Sequence, residues 1–138
     1  MNKFQGLYDI RDAKEQDKNF ILATFLRGLY YGDSWFSFIP KQIFMTNYKK
    51  MAEALVKGDK TTIKVACLKE DSDVILGYSI LSYDYQTIHW VFVKVAWRNR
   101  GIARSLLPKY PSVVTHLTKL GKDLLTKFEN IIFNPFQI

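Results

Sequence analysis

Residues 91–107 read VFVKVAWRNRGIARSLL, and the architecture of the whole chain can be built around them. The apolar, β-branched start of this stretch predicts a strand, and the spacing after residue 102 predicts a short helix. A basic turn that contains Gly101 joins the two. The first backbone amides of a helix have no partner within it, and together with the helix dipole they attract anions. We therefore predict an anion-binding turn between strand and helix.

The side chains of this turn suit a phosphate group. Gly101 has no side chain, so the backbone can come close to a ligand, and Ala103 is too small to block that approach. Arg98, Arg100 and Arg104 add positive charge around the same place. An alternative remains open at this point, in which the turn is a tight glycine turn with solvated arginines and no ligand.

The pattern Arg98-x-x-Gly101-x-Ala103 after a hydrophobic strand resembles the R/Q-x-x-G-x-G/A signature of the GNAT acyltransferase superfamily. In that family the turn binds the pyrophosphate of acetyl-coenzyme A, and the strand before it separates from its neighbour to admit the pantetheine arm. The resemblance therefore implies a cofactor site that consists of Val93, Val95, Arg98, Asn99, Arg100, Gly101, Ile102, Ala103 and Arg104.

Hydrophobic patterns in the rest of the chain predict one α/β (α+β) domain over residues 1–138, in the order β-α-α-β-β-β-α-β-α-β. Asp12 followed by Glu15 resembles a capping box before the first helix. This order is similar to the GNAT core, a mixed and mostly antiparallel sheet flanked by helices. The family usually adds one more strand, for which only residues 136–138 remain. The predicted strands are 7–11, 61–68, 74–83, 87–95, 113–118 and 130–133, and the predicted helices are 13–30, 40–58, 102–109 and 119–128.

Charge and composition narrow the class of partner. The chain has 138 residues, 48% of them apolar, which is typical of one globular domain. Its net charge is +7, and residues 88–138 hold eight Lys and Arg against two acidic residues. This concentration favours an anionic ligand near the turn, either coenzyme A or nucleic acid. The same charge could also be a solubilising surface excess.

Several other classes of site and location are not expected. Cys67 is the only cysteine and lies in an apolar alternating stretch, so we expect a core residue and no disulfide within the chain. With two histidines far apart, no metal site is predicted. The N-terminus lacks the apolar segment of a signal peptide, and no run reaches the roughly 20 apolar residues of a membrane span. We expect a cytoplasmic monomer or homodimer without membrane contact.

Acetyl transfer to an amine requires a base that takes up the amine proton. His89 is the predicted base because it lies four residues before Val93 and because histidine titrates near neutrality. Arylalkylamine acetyltransferases, within the superfamily, carry a working histidine at the corresponding place. The alternative is a histidine with a structural hydrogen bond, and His116 on the next strand is a second candidate.

The acid that would protonate the leaving thiolate is not apparent. Many GNAT members place a tyrosine on the last helix, but the matching position here is Leu125. The tyrosines elsewhere are expected to be packing residues, and no acid is assigned. They are Tyr78, Tyr83, Tyr85 and Tyr110.

The connection YYGDSWFSFIP, residues 30–40, carries five aromatic residues. Connections over a core are normally polar, so these rings either complete the core or form a wall of the acceptor pocket. In GNAT proteins the link between the first two helices often borders that pocket. The predicted substrate-binding residues are Tyr31, Asp33, Trp35 and Phe36, of which Asp33 could attract an amine.

Two functional hypotheses follow. The first is an acetyl-CoA-dependent N-acetyltransferase that acts on a primary amine, which could belong to a small molecule, a protein lysine or N-terminus, or an aminoacylated RNA. The second is a catalytically inactive GNAT-like module that binds nucleic acid or a protein partner through its basic C-terminal half. The intact Gly101 turn favours the enzyme, because a vestigial site has no reason to keep it.

Overall fold

A six-stranded sheet forms the centre of the molecule, in the strand order β1-β2-β3-β4-β5-β6. The computed structural model describes residues 5–32, 34–118, 122–123 and 126–138. Strands β1 to β4 pair antiparallel, whereas β4–β5 and β5–β6 pair parallel. The predicted mixed, mostly antiparallel sheet is confirmed. The strands are β1 Tyr8–Asp12, β2 Thr61–Leu68, β3 Ile75–Ser82, β4 Thr87–Val93, β5 Val113–Val114 and β6 Ile132–Phe133.

Helices cover both faces of the sheet. Helices α1 and α3 pack on one face, where Phe25 and Phe44 join Val65 in the larger core. Helix α4 packs on the other face, where Ile102 is buried against Leu76. No helix among the described residues is long and apolar enough to cross a membrane. The helices are α1 Lys18–Gly32, α2 Ser34–Ser37, α3 Lys41–Lys57 and α4 Ile102–Leu106.

The first helix begins differently from the prediction. A 3₁₀ turn, Glu15–Asp17, precedes α1, and the buried Asp17 carboxylate accepts the Lys14 N–H at 2.7 Å. Burial raises the pKa of Asp17, but hydrogen bonds from Arg11 and Lys14 outweigh it, so the pKa is lowered overall. The predicted capping box of Asp12 and Glu15 is wrong, since Asp12 ends β1.

Other elements are shorter or longer than predicted. Helix α1 continues to Gly32 and residues 34–37 form α2, so the aromatic connection is mostly helical; Asp33 lies outside the described residues. Helix α4 ends at Leu106 rather than 109, and β5 ends at Val114 rather than 118. Much of the predicted last helix, including Leu125, lies outside the described residues, and residues 126–130 form turns and bends.

A β-bulge in β4 interrupts its alternation at His89. Ile80 pairs with Trp90, but the next residue of β3, Leu81, pairs with Ile88, so His89 has no partner in this register. Trp90 therefore faces the α1 and α3 core, while Ile88 packs with Leu81 in a cluster that includes Val114. The simple period of two, on which the predicted direction of His89 depended, does not hold across this residue.

Candidate active site

Strands β4 and β5 separate soon after they meet. They pair only at Thr87–Val113 and Ile88–Val114, and one further bond runs from the Thr115 N–H to the Ile88 carbonyl at 3.1 Å. Beyond that bond, no strand within the described ranges pairs with this edge of β4, although β4 continues to Val93. The sheet thus opens between β4 and the segment that follows β5.

Strand β4 ends at Val93, two residues earlier than predicted. The Lys94 N–H donates to the Leu76 carbonyl at 2.8 Å and closes the ladder with β3. Val95 starts a 3₁₀ turn, Val95–Trp97, and its side chain is 75% exposed. Of the two valines predicted to line the cofactor, only Val93 therefore lies on the strand.

The backbone then makes a turn with two residues in the left-handed region. Asn99 has a φ of 62° and Gly101 a φ of 85°, and α4 begins directly afterwards. Amides in such a turn can point together and form a concave anion site. Because α4 has only five residues, the helix dipole adds little, and the site depends mainly on the turn amides. Ile102 is buried, so it can offer a ligand only its backbone.

The predicted arginines are held around this turn. Arg98 Nε donates to the Val93 carbonyl at 3.0 Å, which fastens the turn to the end of β4. The Arg100 guanidinium lies 5.3 Å from the centroid of the Trp97 ring, a cation–π distance. Arg104 is exposed, and within the described ranges no carboxylate forms an ion pair with Arg98 or Arg104. The charges of Arg98 and Arg104 therefore remain available to an anion.

Two histidines and a threonine contact one another where the sheet opens. His89 is 4% exposed, and its Nδ1 lies 3.0 Å from the Thr115 hydroxyl. The same hydroxyl lies 2.9 Å from Nδ1 of His116. Burial lowers the pKa of His89 to about 4. Burial also lowers the pKa of His116 to about 4, with a smaller contribution from electrostatic repulsion by His89. Both rings are therefore neutral at pH 7.

The aromatic segment lies on the same side as His116. Phe25 of α1 packs edge-on against the His116 ring, with 5.4 Å between centroids. The end of α1 also borders the segment after β5, because a Cβ added at Gly32 would lie 2.6 Å from Cγ2 of Thr118. Tyr31 and Trp35 are 61% and 67% exposed.

Phe36 differs from its neighbours, because its ring is half-buried against Phe44 and Tyr48. Of the predicted substrate-binding residues, it is the one that also serves the core. The core interpretation therefore holds for Phe36, and the acceptor-pocket interpretation of Tyr31 and Trp35 stays a prediction.

Sequence reasoning missed Thr115. Its only signal in the sequence is its place beside His116 at the end of a β-branched run, which does not distinguish it from an ordinary strand residue. Tyr78, in contrast, is a packing residue as expected: it is fully buried, and its hydroxyl contacts Thr24 at 2.6 Å. The same expectation is wrong for Tyr83 and Tyr110, which are 73% and 76% exposed. Within the described ranges, no group of three side chains could hold a metal ion.

No protein-family model and no curated protein matches the chain. Several solved structures do match it. An aminoglycoside N-acetyltransferase, AAC(6')-Iy in complex with CoA, matches at 17% identity and a TM-score of 0.51 over 95% of both chains. The chain has the GNAT acetyltransferase fold.

Two bacterial GNAT-fold structures match as well. A "possible acetyltransferase" from Clostridium difficile 630 matches at 20% identity and a TM-score of 0.51, over 92% of this chain and 76% of its own. Apo YjaB from Escherichia coli matches at 18% identity and a TM-score of 0.51, over 72% of this chain and 61% of its own chain. At these identities the likeness establishes the fold.

Proposed function

We propose that this GNAT-fold protein is an acetyl-CoA-dependent N-acetyltransferase that acts on a primary amine. The observation that carries the proposal is the opening between β4 and β5: the β4 edge, unpaired there by any strand of the described residues, leads through the 3₁₀ turn Val95–Trp97 to the turn at Asn99 and Gly101. An extended thioester arm with a phosphate group at one end matches these two features. That AAC(6')-Iy, of the same fold, was solved with CoA supports this choice.

Coenzyme A would be held by three kinds of group. The amides of residues 99–103 would bind the pyrophosphate, and the arginines around the turn would balance its charge. The free edge of β4 up to Val93 would offer backbone groups to the pantetheine arm. This places the thioester toward the opening of the sheet, where His89 lies.

The reaction joins the amine nitrogen to the acetyl carbon and breaks the carbon–sulfur bond, so that the CoA thiolate leaves. The amine must also lose one proton, and His89 is the predicted acceptor of that proton. Holding the thioester and the amine side by side supplies a large part of the rate enhancement. We assign no residue to protonate the thiolate.

The acceptor pocket is proposed to include the exposed rings of Tyr31 and Trp35. They follow the part of α1 that borders His116 and Thr118, on the side from which an amine could reach the opening. Exposed aromatic rings favour an acceptor with an apolar body, such as an aromatic amine. Positive charge near the turn favours an acceptor that is anionic or RNA-linked, and the choice between them is left to the acceptor screen.

Calorimetric titration with acetyl-CoA, followed by a screen of amines with thiol release as the readout, tests the proposal. We expect micromolar binding, and we expect Gly101→Glu to abolish it by adding charge and bulk at the turn. Ala54→Glu, which adds the same charge on the exposed surface of α3, is the matched control and should bind normally.

Absence of both binding and thiol release would contradict the proposal. If the protein instead shifts a nucleic-acid probe with an affinity that falls steeply with salt, the binding-module alternative is correct.

A further inference from the structure

The Thr115 hydroxyl contacts both histidines, and this geometry constrains their protons. Its oxygen lies 3.0 Å from Nδ1 of His89 and 2.9 Å from Nδ1 of His116. A hydroxyl has one proton, so it can donate to only one of two neutral rings and must accept from the other. The two rings therefore carry opposite tautomers: one has its proton on Nδ1 and the other on Nε2.

We propose that Thr115 relays the amine proton from His89 to His116 through a concerted change of tautomer. This inference rests on the proposed acetyltransferase function and adds two residues, Thr115 and His116, to its machinery. Thr115 is 2% exposed, so its hydroxyl is buried together with its two contacts to the histidine rings.

The steps balance without a buried ion. The amine proton moves to Nε2 of His89, whose Nδ1 proton moves to the Thr115 oxygen. The Thr115 proton moves to Nδ1 of His116, whose Nε2 proton leaves to water. Each ring accepts one proton and releases one, so His89 and His116 are neutral before and after. Their tautomers are exchanged, and the reverse shift restores them before the next turnover, with a proton taken from water at Nε2 of His116 and one released from Nε2 of His89 to water. The amine nitrogen contributes the electron pair of the new amide bond, and the electron pair of the broken carbon–sulfur bond leaves with the CoA thiolate.

Burial makes such a relay more effective than a single base. A lone His89 would have to hold an imidazolium at a site that is 4% exposed, and desolvation disfavours the charged ring. In the relay the positive charge is never confined to one buried ring. The exit of the proton is assigned to His116, because that residue keeps some exposed surface whereas His89 is only 4% exposed.

Substitution at Thr115 tests the relay. Thr115→Val keeps the shape and removes the hydroxyl, so we expect kcat to fall by about 10- to 100-fold with the Kd for acetyl-CoA unchanged. Thr115→Ser restores a hydroxyl and should stay within about threefold of the natural chain. In mixtures of H2O and D2O the rate of the natural chain should vary non-linearly with the deuterium fraction, because several protons move in the same step. The rate of Thr115→Val should vary linearly.

A second measurement is independent of activity. The ¹⁵N shifts of the ring nitrogens in the free natural chain at pH 7 should show the Nδ1–H tautomer for His89 and the Nε2–H tautomer for His116. This measurement can overturn the relay even if Thr115→Val does not fold.

Any other pair of tautomers, or full activity of Thr115→Val, would overturn the relay while leaving the acetyltransferase intact. A natural chain that neither binds acetyl-CoA nor releases thiol would overturn the proposed function instead.

Discussion

The Tyr8 hydroxyl of β1 lies 3.0 Å from the Ser105 hydroxyl of α4. Ser105 in turn donates to the Gly101 carbonyl at 3.0 Å, so its single proton is engaged and Tyr8 acts as the donor to Ser105. Tyr8 is 6% exposed, and this chain of two bonds connects the first strand to the turn that is proposed to bind pyrophosphate. Residues 97 positions apart in the sequence thus fix one backbone carbonyl of the turn.

Tyr8→Phe should weaken acetyl-CoA binding without changing the chemistry. The substitution removes one hydrogen bond, which is worth about 1 kcal/mol, so we expect a Kd three- to tenfold higher, with kcat at saturation nearly unchanged. Calorimetric titration and steady-state rates provide the two readouts. Tyr110→Phe, at a tyrosine that is 76% exposed, is the control. An unaltered Kd in Tyr8→Phe would show that the turn does not need this support.

Gly101→Ala should strain the turn. At a φ of 85° a residue with a Cβ costs about 1–2 kcal/mol more than glycine, so the free energy of unfolding should fall by that amount and the Kd for acetyl-CoA should rise. Chemical denaturation measures the first quantity and calorimetry the second. Gly6→Ala is the control, because a Cβ there meets nothing within 4 Å. Equal stability of the two variants would contradict the left-handed turn.

Gly77→Ala should disturb the junction of β3 with the end of β4. An added Cβ would lie 2.5 Å from the Phe92 carbonyl oxygen and 3.2 Å from Cα of Val93, and both are backbone atoms that cannot rotate away. We expect a loss of about 1–3 kcal/mol in the free energy of unfolding, measured by urea denaturation. A variant as stable as the natural chain would mean that β3 and β4 are not paired in this register.

Stability should decrease as the solution becomes mildly acidic. The pKa of His89 is about 4 in the folded chain against an ordinary value of 6.5, so between these values the unfolded chain binds more protons. The free energy of unfolding should therefore fall as the pH falls from about 6.5 to 4, by on the order of 3 kcal/mol for this group. Asp17, whose pKa is lowered, would lose its contribution only below 3.8.

Urea denaturation at several pH values measures this dependence. His89→Gln keeps a polar side chain next to Thr115 and should make the curve flatter over the same interval. A natural chain with constant stability between pH 6.5 and 4 would show that His89 is not buried as a neutral ring.

The sheet could be predicted from the sequence because its strands follow strong local rules. Thr61–Leu68 forms β2 with the predicted bounds, and the turn at Gly101 begins α4 where the pattern placed it. Periodicity was less reliable at the ends of elements. The Lys94 N–H makes the last hydrogen bond to β3, and a 3₁₀ turn starts at Val95, so β4 ends two residues earlier than predicted.

Long-range geometry explains what the sequence could not predict. The bulge at His89 is visible only in the register of β3 against β4, and a strict period of two gives no sign of it. The contact of Thr115 with His89 joins residues 26 positions apart, and the link from Tyr8 to Ser105 spans most of the chain. Before α1 the Asp17 carboxylate accepts the Lys14 N–H and is held by Arg11, in place of the predicted capping box of Asp12 and Glu15.

The most direct test of coenzyme A binding at the Gly101 turn is a ¹H–¹⁵N titration of the natural chain with CoA. We predict saturable shifts that are largest for the amides of residues 99–103 and continue along β4 toward His89, with small shifts on α3. Shifts that do not saturate, or that are centred away from this turn, would contradict the proposed site.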